Sequence, residues 1–229
     1  CGISASILII YRKNGILKEM IYEPFWPKYS SKSARDNLNT IIYRLRNILG
    51  KENDILLTDS NTIGFKAGTT ITDVDRFLEF LNLADAAERQ NELGTAAEMY
   101  NKGLEIYKGD FLESDIYSDF IRDEREHLKQ KYRLSLFKLS KLYLNTGNYL
   151  QALETLKILI NKDPLCEAGT RMLMITSALI GSRSNIPRIP DNLNRQLMEE
   201  YDVSADKKTV QLQEMLLAGR RRSRAGYVD

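Results

Sequence analysis

Arg35, Asn39, Tyr43 and Arg44 stand at offsets of zero, four, eight and nine, which reads as one exposed helical face. Arginine can make two hydrogen bonds to guanine and asparagine two to adenine, so this row is equipped to read base edges in a major groove. Lys32 and Thr40 belong to the same outer surface. Arg46 and Lys66 are candidate phosphate contacts, which fix register without choosing sequence. Each has a plainer reading. A charged helix face is usually just solvated, Arg46 can brace a neighbouring hairpin, and Lys66 ends a strand where an edge lysine is ordinary.

Catalytic chemistry finds little support. His127 is the only histidine, in a charged run beside Glu126, which removes most His-based triads and multi-histidine metal sites. No glycine-rich phosphate loop or dinucleotide fingerprint is present, and acidic pairs such as Glu199-Glu200 are adjacent rather than facing. The two cysteines, Cys1 and Cys166, make neither a disulfide framework nor a metal knuckle, which suits a reducing cytoplasm. No apolar run is long enough to cross a bilayer, so no membrane partner is expected. The expectation is a protein that is not an enzyme and needs neither metal nor cofactor.

The candidate row needs a helix to carry it, and the sequence supplies one. From Ser33 to Leu49, residues Leu38, Ile41, Ile42, Leu45, Ile48 and Leu49 form an apolar stripe of helical period, with Gly50 as the stop. A first helix is expected from Ser4 through Ile7, Leu8, Ile10 and Tyr11 to Gly15. A short second helix runs from Leu17 to Glu23, stopped by Pro24 and followed by Trp26, a core residue. Two short strands, 54–58 and 62–66, flank the turn Asp59-Ser60-Asn61. Three helices followed by a β-hairpin is the pattern of a winged helix, in which the third helix enters the major groove and the hairpin touches the backbone.

From Asp73 onward the pattern is all helical, with helices expected near 73–92, 94–107, 115–145, 149–161 and 165–180. Residues 142–153, closing at Asp163-Pro164, look like one tetratricopeptide repeat, with Gly147 at the turn and Ala152 at a close helix approach. A looser copy begins near Asn91 and takes in Tyr100, Leu104 and Tyr107. Charge divides along the same line. Residues 1–70 hold ten Lys/Arg against six Asp/Glu, whereas residues 71–219 hold nineteen against twenty-four. A basic front and an acidic body fit a front that meets a polyanion.

An ordered set of motifs resembles a known family. Phe25-Trp-Pro27, Ser33-Ala-Arg35, Tyr43-Arg-Leu-Arg46, Leu49-Gly50 and Asp73-Val-Asp75 with Phe77 look like the DNA-binding half of the Streptomyces antibiotic regulatory protein (SARP) family. Residues 104–112, Arg122 to Arg125 with Leu128, and Asp163 to Glu167 with Arg171 and Met174 resemble its bacterial transcriptional activator domain (BTAD). The resemblance implies a bacterial transcription activator that binds direct repeats in double-stranded DNA, often as a homodimer, and recruits RNA polymerase. It implies recognition-helix positions at Arg35, Asn37, Asn39, Thr40, Tyr43 and Arg44. The family usually opens with strands that precede the first helix, so Cys1 is expected to mark a fragment lacking an upstream sensory domain such as a receiver or NTPase. The family also runs a regular helix where Ile186-Pro-Arg-Ile-Pro190 stands here, so the last helical pair is expected to begin no earlier than Pro190.

The expected architecture is mainly α: a winged helix-turn-helix over 1–70, a tetratricopeptide-like helical domain over 71–219, and a disordered basic tail over 220–229. The expected function is sequence-specific DNA binding and transcription regulation. The competing reading makes the helical repeats a protein-interaction module and leaves the winged helix without DNA binding.

Overall fold

The computed structural model describes residues 11–12, 15–66, 68, 71–113 and 119–225. The chain divides into two compact units, residues 1–77 with 106–130, and residues 78–105 with 131–229. The first unit therefore takes in a stretch beyond the 1–70 span expected for a winged helix.

In the first unit, the helix expected from Ser4 lies outside the described residues except at its end. Gly15 takes φ +66 and its N–H donates to the Tyr11 carbonyl at 2.8 Å, as suits a residue that closes a helical turn. Strand β1 (Ile16–Leu17) follows at once, then helix α1 (Lys18–Phe25) and helix α2 (Ser31–Leu49). A 3-10 segment over Gly50–Ile55 leads into β2 (Leu56–Thr58) and β3 (Thr62–Phe65). The three strands form one antiparallel sheet in the order β1-β3-β2, with Ile16 opposite Ile63 and Leu56 opposite Phe65.

Three details depart from the sequence reading. Pro24 does not stop α1, which runs on to Phe25. Pro24 lies in the last turn, and the Trp26 N–H still reaches the Tyr22 carbonyl at 2.7 Å. Leu17, expected in a helix, pairs instead as a strand with Thr62. The first strand of the hairpin is shorter than 54–58 because the 3-10 segment consumes its start.

The sheet and helices close over a core of Ile16, Ile21, Leu38, Ile42, Leu56 and Ile63. Tyr11, Tyr22, Phe25, Trp26, Leu45, Leu49 and Phe65 pack around it. Trp26 thus has the packing role expected of it, tilted against Phe25 with ring centroids 6.1 Å apart. Close backbone approach at the sheet requires glycine: a Cβ on Gly64 would fall 2.7 Å from the Gly15 Cα.

The motif residues at the start of helix α3 (Asp73–Arg89) are structural staples of the first unit. Thr72 and Asp75 form a reciprocal capping box: the Asp75 N–H donates to Thr72 Oγ1, and the Thr72 N–H donates to Asp75 Oδ2, both at 3.1 Å. Asp75 also takes two hydrogen bonds from the buried Arg12 guanidinium, at 2.7 and 2.6 Å. That bidentate pair holds the Asp75 carboxyl well below the usual carboxylate range. The Phe77 ring packs against Tyr107 at 5.5 Å. Arg125 donates to the carbonyls of Phe111 and Leu112, both at 2.7 Å, and so secures Leu112 at φ +49.

The second unit is helical throughout its described residues. It draws on α4 (Leu93–Ile106), α5 (Asp119–Asn145), α6 (Tyr149–Lys162) and α7 (Glu167–Leu179), then a 3-10 turn over Arg183–Arg188, α8 (Ile189–Tyr201) and α9 (Lys207–Ala225). Gly147 at φ +76 makes the turn into α6, and Ala152 is wholly buried where helices come close, as the repeat pattern requires. Leu136, Leu156 and Leu159 form a core joined by Leu104, Tyr132, Phe137, Cys166, Met172 and Leu173. Helix α8 begins one residue before Pro190, which occupies a first-turn position where the missing N–H is harmless. Pro187 is absorbed in the 3-10 turn. Helix α9 extends through Arg220–Arg224, residues that composition assigned to a structureless tail.

Two polar networks tie this unit together. Tyr100, nearly inaccessible to solvent, donates its hydroxyl to Asp85 and to Glu88, and Lys138 donates to Asp85 at 2.7 Å. Burial and the two carboxylates push the Tyr100 phenol far above its ordinary range. Glu167 accepts from Thr209 Oγ1 at 2.6 Å and from the Asp206 N–H, while Arg171 donates to the same Thr209 oxygen at 2.8 Å. Glu167 and Arg171, both motif residues, therefore anchor the start of α9.

Candidate nucleic-acid interface

Helix α2 carries most of the candidate residues and is firmly bounded. Ser30 caps it by accepting from the Ser33 N–H at 3.2 Å, and Gly50 ends it at φ +58. It therefore starts two residues before the expected Ser33. Its buried side is Ala34, Leu38 and Ile42, flanked by half-buried Leu45 and Leu49. Ile48, expected in the apolar stripe, is instead 76% exposed, whereas the rest of the stripe is buried or half-buried and five of the six helix positions are exposed.

Lys32, Arg35, Asn39 and Tyr43 follow one another up a single outer flank, and Tyr43 leaves 67% of its surface accessible. Lys32 and Arg35 make no ion pair among the described residues. Thr40 is exposed beside this row, with its hydroxyl donating to the Asp36 carbonyl one turn back at 2.9 Å. Arg44 belongs elsewhere. Nine residues are about two and a half helical turns, so it points away from Arg35 rather than along the same face. Half-buried Asn37 lies on that opposite flank.

The hairpin meets α2 through Arg46. Its Nη2 donates to Thr58 Oγ1 at 2.8 Å and approaches the Leu56 carbonyl at 3.5 Å. Arg46 is half-buried, and it spans from the helix to β2. Lys66 is exposed directly after β3, at the end of the strand away from the turn. Its N–H donates to the Ile55 carbonyl at 2.7 Å and closes the base of the hairpin.

The turn itself is organised by Asp59. Its carboxylate accepts from the N–H groups of Asn61 and Thr62, at 2.7 and 2.6 Å, and from the Thr62 hydroxyl at 2.7 Å. Those bonds, the Thr62 hydroxyl foremost, hold the Asp59 pKa at about 2. Lys18, at the start of α1, reaches the same turn. Its ammonium donates to the Asp59 carbonyl at 2.5 Å and its N–H to the Asn61 carbonyl at 2.8 Å. Sequence reasoning passed over Lys18 because nothing local marks a contact with residues more than forty positions away. Among the described residues, no three His, Cys, Asp or Glu side chains converge as a metal site needs. Nor is any described helix long and apolar enough to cross a membrane.

The arrangement is a rigidly packed helix with a polar, partly cationic outer row beside a hairpin fastened at both ends. Its overall fold is similar to that of EmbR from Mycobacterium tuberculosis, solved in complex with a low-affinity phosphopeptide. The TM-score is 0.78 over 94% of this chain, at 14% sequence identity, and the match spans 58% of the EmbR chain. A smaller likeness, TM-score 0.46 at 13% identity, covers 68% of this chain and 97% of the tetratricopeptide-containing C-terminal domain of a Plasmodium falciparum FK506-binding protein. No curated protein matches the chain significantly. The family model described as the bacterial transcriptional activator domain matches residues 72–217, which hold the capping box at Thr72 and Asp75, the Arg125 clasp and the Glu167–Arg171 anchor. The chain belongs to the bacterial transcriptional activator domain family.

Proposed function

We propose that the chain is a SARP-type transcription activator that binds duplex DNA through a winged helix and uses its helical domain for self-association and partner contacts. One observation carries this reading: the outward row Lys32, Arg35, Asn39 and Tyr43 on α2, whose opposite side is locked into the core. Helix α2 then enters the major groove, Arg35 and Asn39 read base edges, and Thr40 and Tyr43 contact what lies beside them. Lys32 and Lys66 supply phosphate contacts. Arg44 and Asn37, on the opposite flank, face the other wall of the groove. The hairpin turn at Ser60 lies against the adjacent backbone.

Direct repeats suit a pair of such chains bound in tandem, with RNA polymerase as the partner and an upstream sensory domain as the source of the signal. The competing reading, a protein-docking winged helix, draws on exposed Ile48 and Leu57 in the same unit. Selection from a random duplex library at two salt concentrations separates the two. DNA binding through phosphates gives enrichment of a repeated site and an affinity that falls steeply with salt. A docking platform gives no retained duplex even at low salt.

A further inference from the structure

The hairpin is held at two independent points, and one of them is made by the recognition helix itself. From α2, the Arg46 guanidinium donates to the Thr58 hydroxyl at 2.8 Å and lies 3.5 Å from the Leu56 carbonyl. From α1, Lys18 holds the turn through the carbonyls of Asp59 and Asn61. Strand β2 is an edge strand, because the sheet order is β1-β3-β2. Among the described residues, Thr58 and Leu56 therefore have no further strand beyond them, and Arg46 lies along that edge. Arg46 is half-buried in doing so, whereas Lys32 and Arg35 stand exposed on the same helix.

We propose that Arg46 and Thr58 are a positioning pair: Arg46 acts on DNA affinity by fixing the hairpin against α2, and not by touching a phosphate. The inference rests on the DNA-binding reading above and assigns Arg46 a different role from the surface cations. The physical reason is preorganisation. A hairpin already set at the angle at which it meets the backbone loses less freedom on binding than one that must first be ordered. A planar guanidinium suits the task because it can serve a hydroxyl and a carbonyl on one strand at once, which an ammonium on a flexible stem cannot do with the same geometry.

The two roles separate by salt. Each phosphate contact contributes about 0.9 to the slope of log affinity against log salt, so losing one lowers the slope by that amount. A positioning residue lowers affinity at every salt concentration and leaves the slope unchanged. The test uses the whole chain and a pooled random-sequence duplex, comparing the parent with Thr58→Val, Arg46→Lys, their double variant and Arg46→Gln. Thr58→Val keeps a β-branched strand residue and removes only the hydroxyl. Arg46→Lys keeps the charge and removes the fork, and Arg46→Gln removes the charge as well, so that its slope reports whether a phosphate contact is lost. Titration at saturating DNA gives the fraction of chain competent to bind, which distinguishes a misplaced hairpin from an unfolded unit.

The expected result is that each single variant binds roughly tenfold more weakly, as follows from losing one charge-assisted hydrogen bond. The slope and competent fraction stay those of the parent, and the double variant is no weaker than either single one. Unchanged affinity in Thr58→Val, a slope lowered by about 0.9 in Arg46→Gln, or a drop in competent fraction that accounts for the whole loss, overturns the positioning pair while the DNA-binding reading stands. A parent chain that retains no duplex at low salt overturns that reading and the pair with it.

Discussion

Lys32 and Arg35 on α2 stand apart from three cations of the second unit, although all five sit on helices. Lys138 is engaged with Asp85, Arg171 with Glu167 and Thr209, and Lys157 with Glu154. Lys32 and Arg35 on α2 have no such acidic partner among the described residues. A charge already met by its own chain contributes to the fold and has little left to offer a ligand. An unmet charge on a helix locked at its back is available to a polyanion. Binding to a polyanion can therefore be local in a chain whose formal net charge is only +2.

The largest effect is expected at a paired charge of the first unit. Asp75→Ala leaves the Arg12 side chain, 7% exposed, without its carboxylate and removes half of the capping box on α3. Stability falls by about 2–4 kcal/mol, the lost charge-assisted bonds and the lost cap together. Urea unfolding followed by circular dichroism measures it, and a loss under 1 kcal/mol contradicts the role given to this pair.

Arg35→Ala removes a cation that has no acidic partner among the described residues. Loss of a base contact costs about 1–3 kcal/mol of DNA affinity and relaxes sequence choice. Stability stays within about 0.5 kcal/mol, as for an exposed substitution. Selection from random duplexes together with thermal melting reads both, and an unchanged site preference removes Arg35 from the reading residues. Arg171→Ala should do the reverse. It weakens the anchor of α9 by about 1 kcal/mol, one net hydrogen bond, and leaves DNA affinity alone. A shift in DNA affinity without a shift in melting would show that the two sets of cations are not distinct.

Much of this architecture is legible in the sequence because its cause is local. The stripe through Leu38, Ile42 and Leu45 announces α2 and, by subtraction, the outward row. Gly147, Ala152 and Pro164 announce a helical pair, since turn, close approach and exit each require one residue type. What could not be read is long-range. Two residues at Ile16–Leu17 are too few to show alternation, and their strand exists only because β3 lies beside them. The reach of Lys18 to the turn is equally invisible, and so is the bond from Arg46 to Thr58, because neither depends on a nearby pattern. The placement of Arg44 was within reach of arithmetic, since an offset of nine turns a residue to the far side.

The smallest expected effect comes from acid. Asp75 and Asp59 both titrate below their ordinary value of 3.8 in the folded chain, Asp75 through Arg12 and Asp59 through Thr62. Their contribution is fully present above that value and is lost as pH falls, for Asp59 through about 2. Melting temperature should therefore hold steady from neutrality down to mildly acidic pH and decline below about pH 4, where unfolded carboxylates begin to bind protons more readily. In Asp59→Asn, whose amide cannot take all three bonds in the same way, the hairpin's share of that decline should vanish. An identical acid profile in parent and variant would show that the Asp59 bonds add nothing to stability.

Contact of Lys32 and Arg35 with DNA is read from the affinity of the whole chain for a random-sequence duplex pool across a range of salt. Log affinity should fall straight and steeply with log salt, with a slope reduced by about 0.9 in Lys32→Gln. A chain that retains no duplex at the lowest salt, or a slope that Lys32→Gln leaves untouched, contradicts that contact.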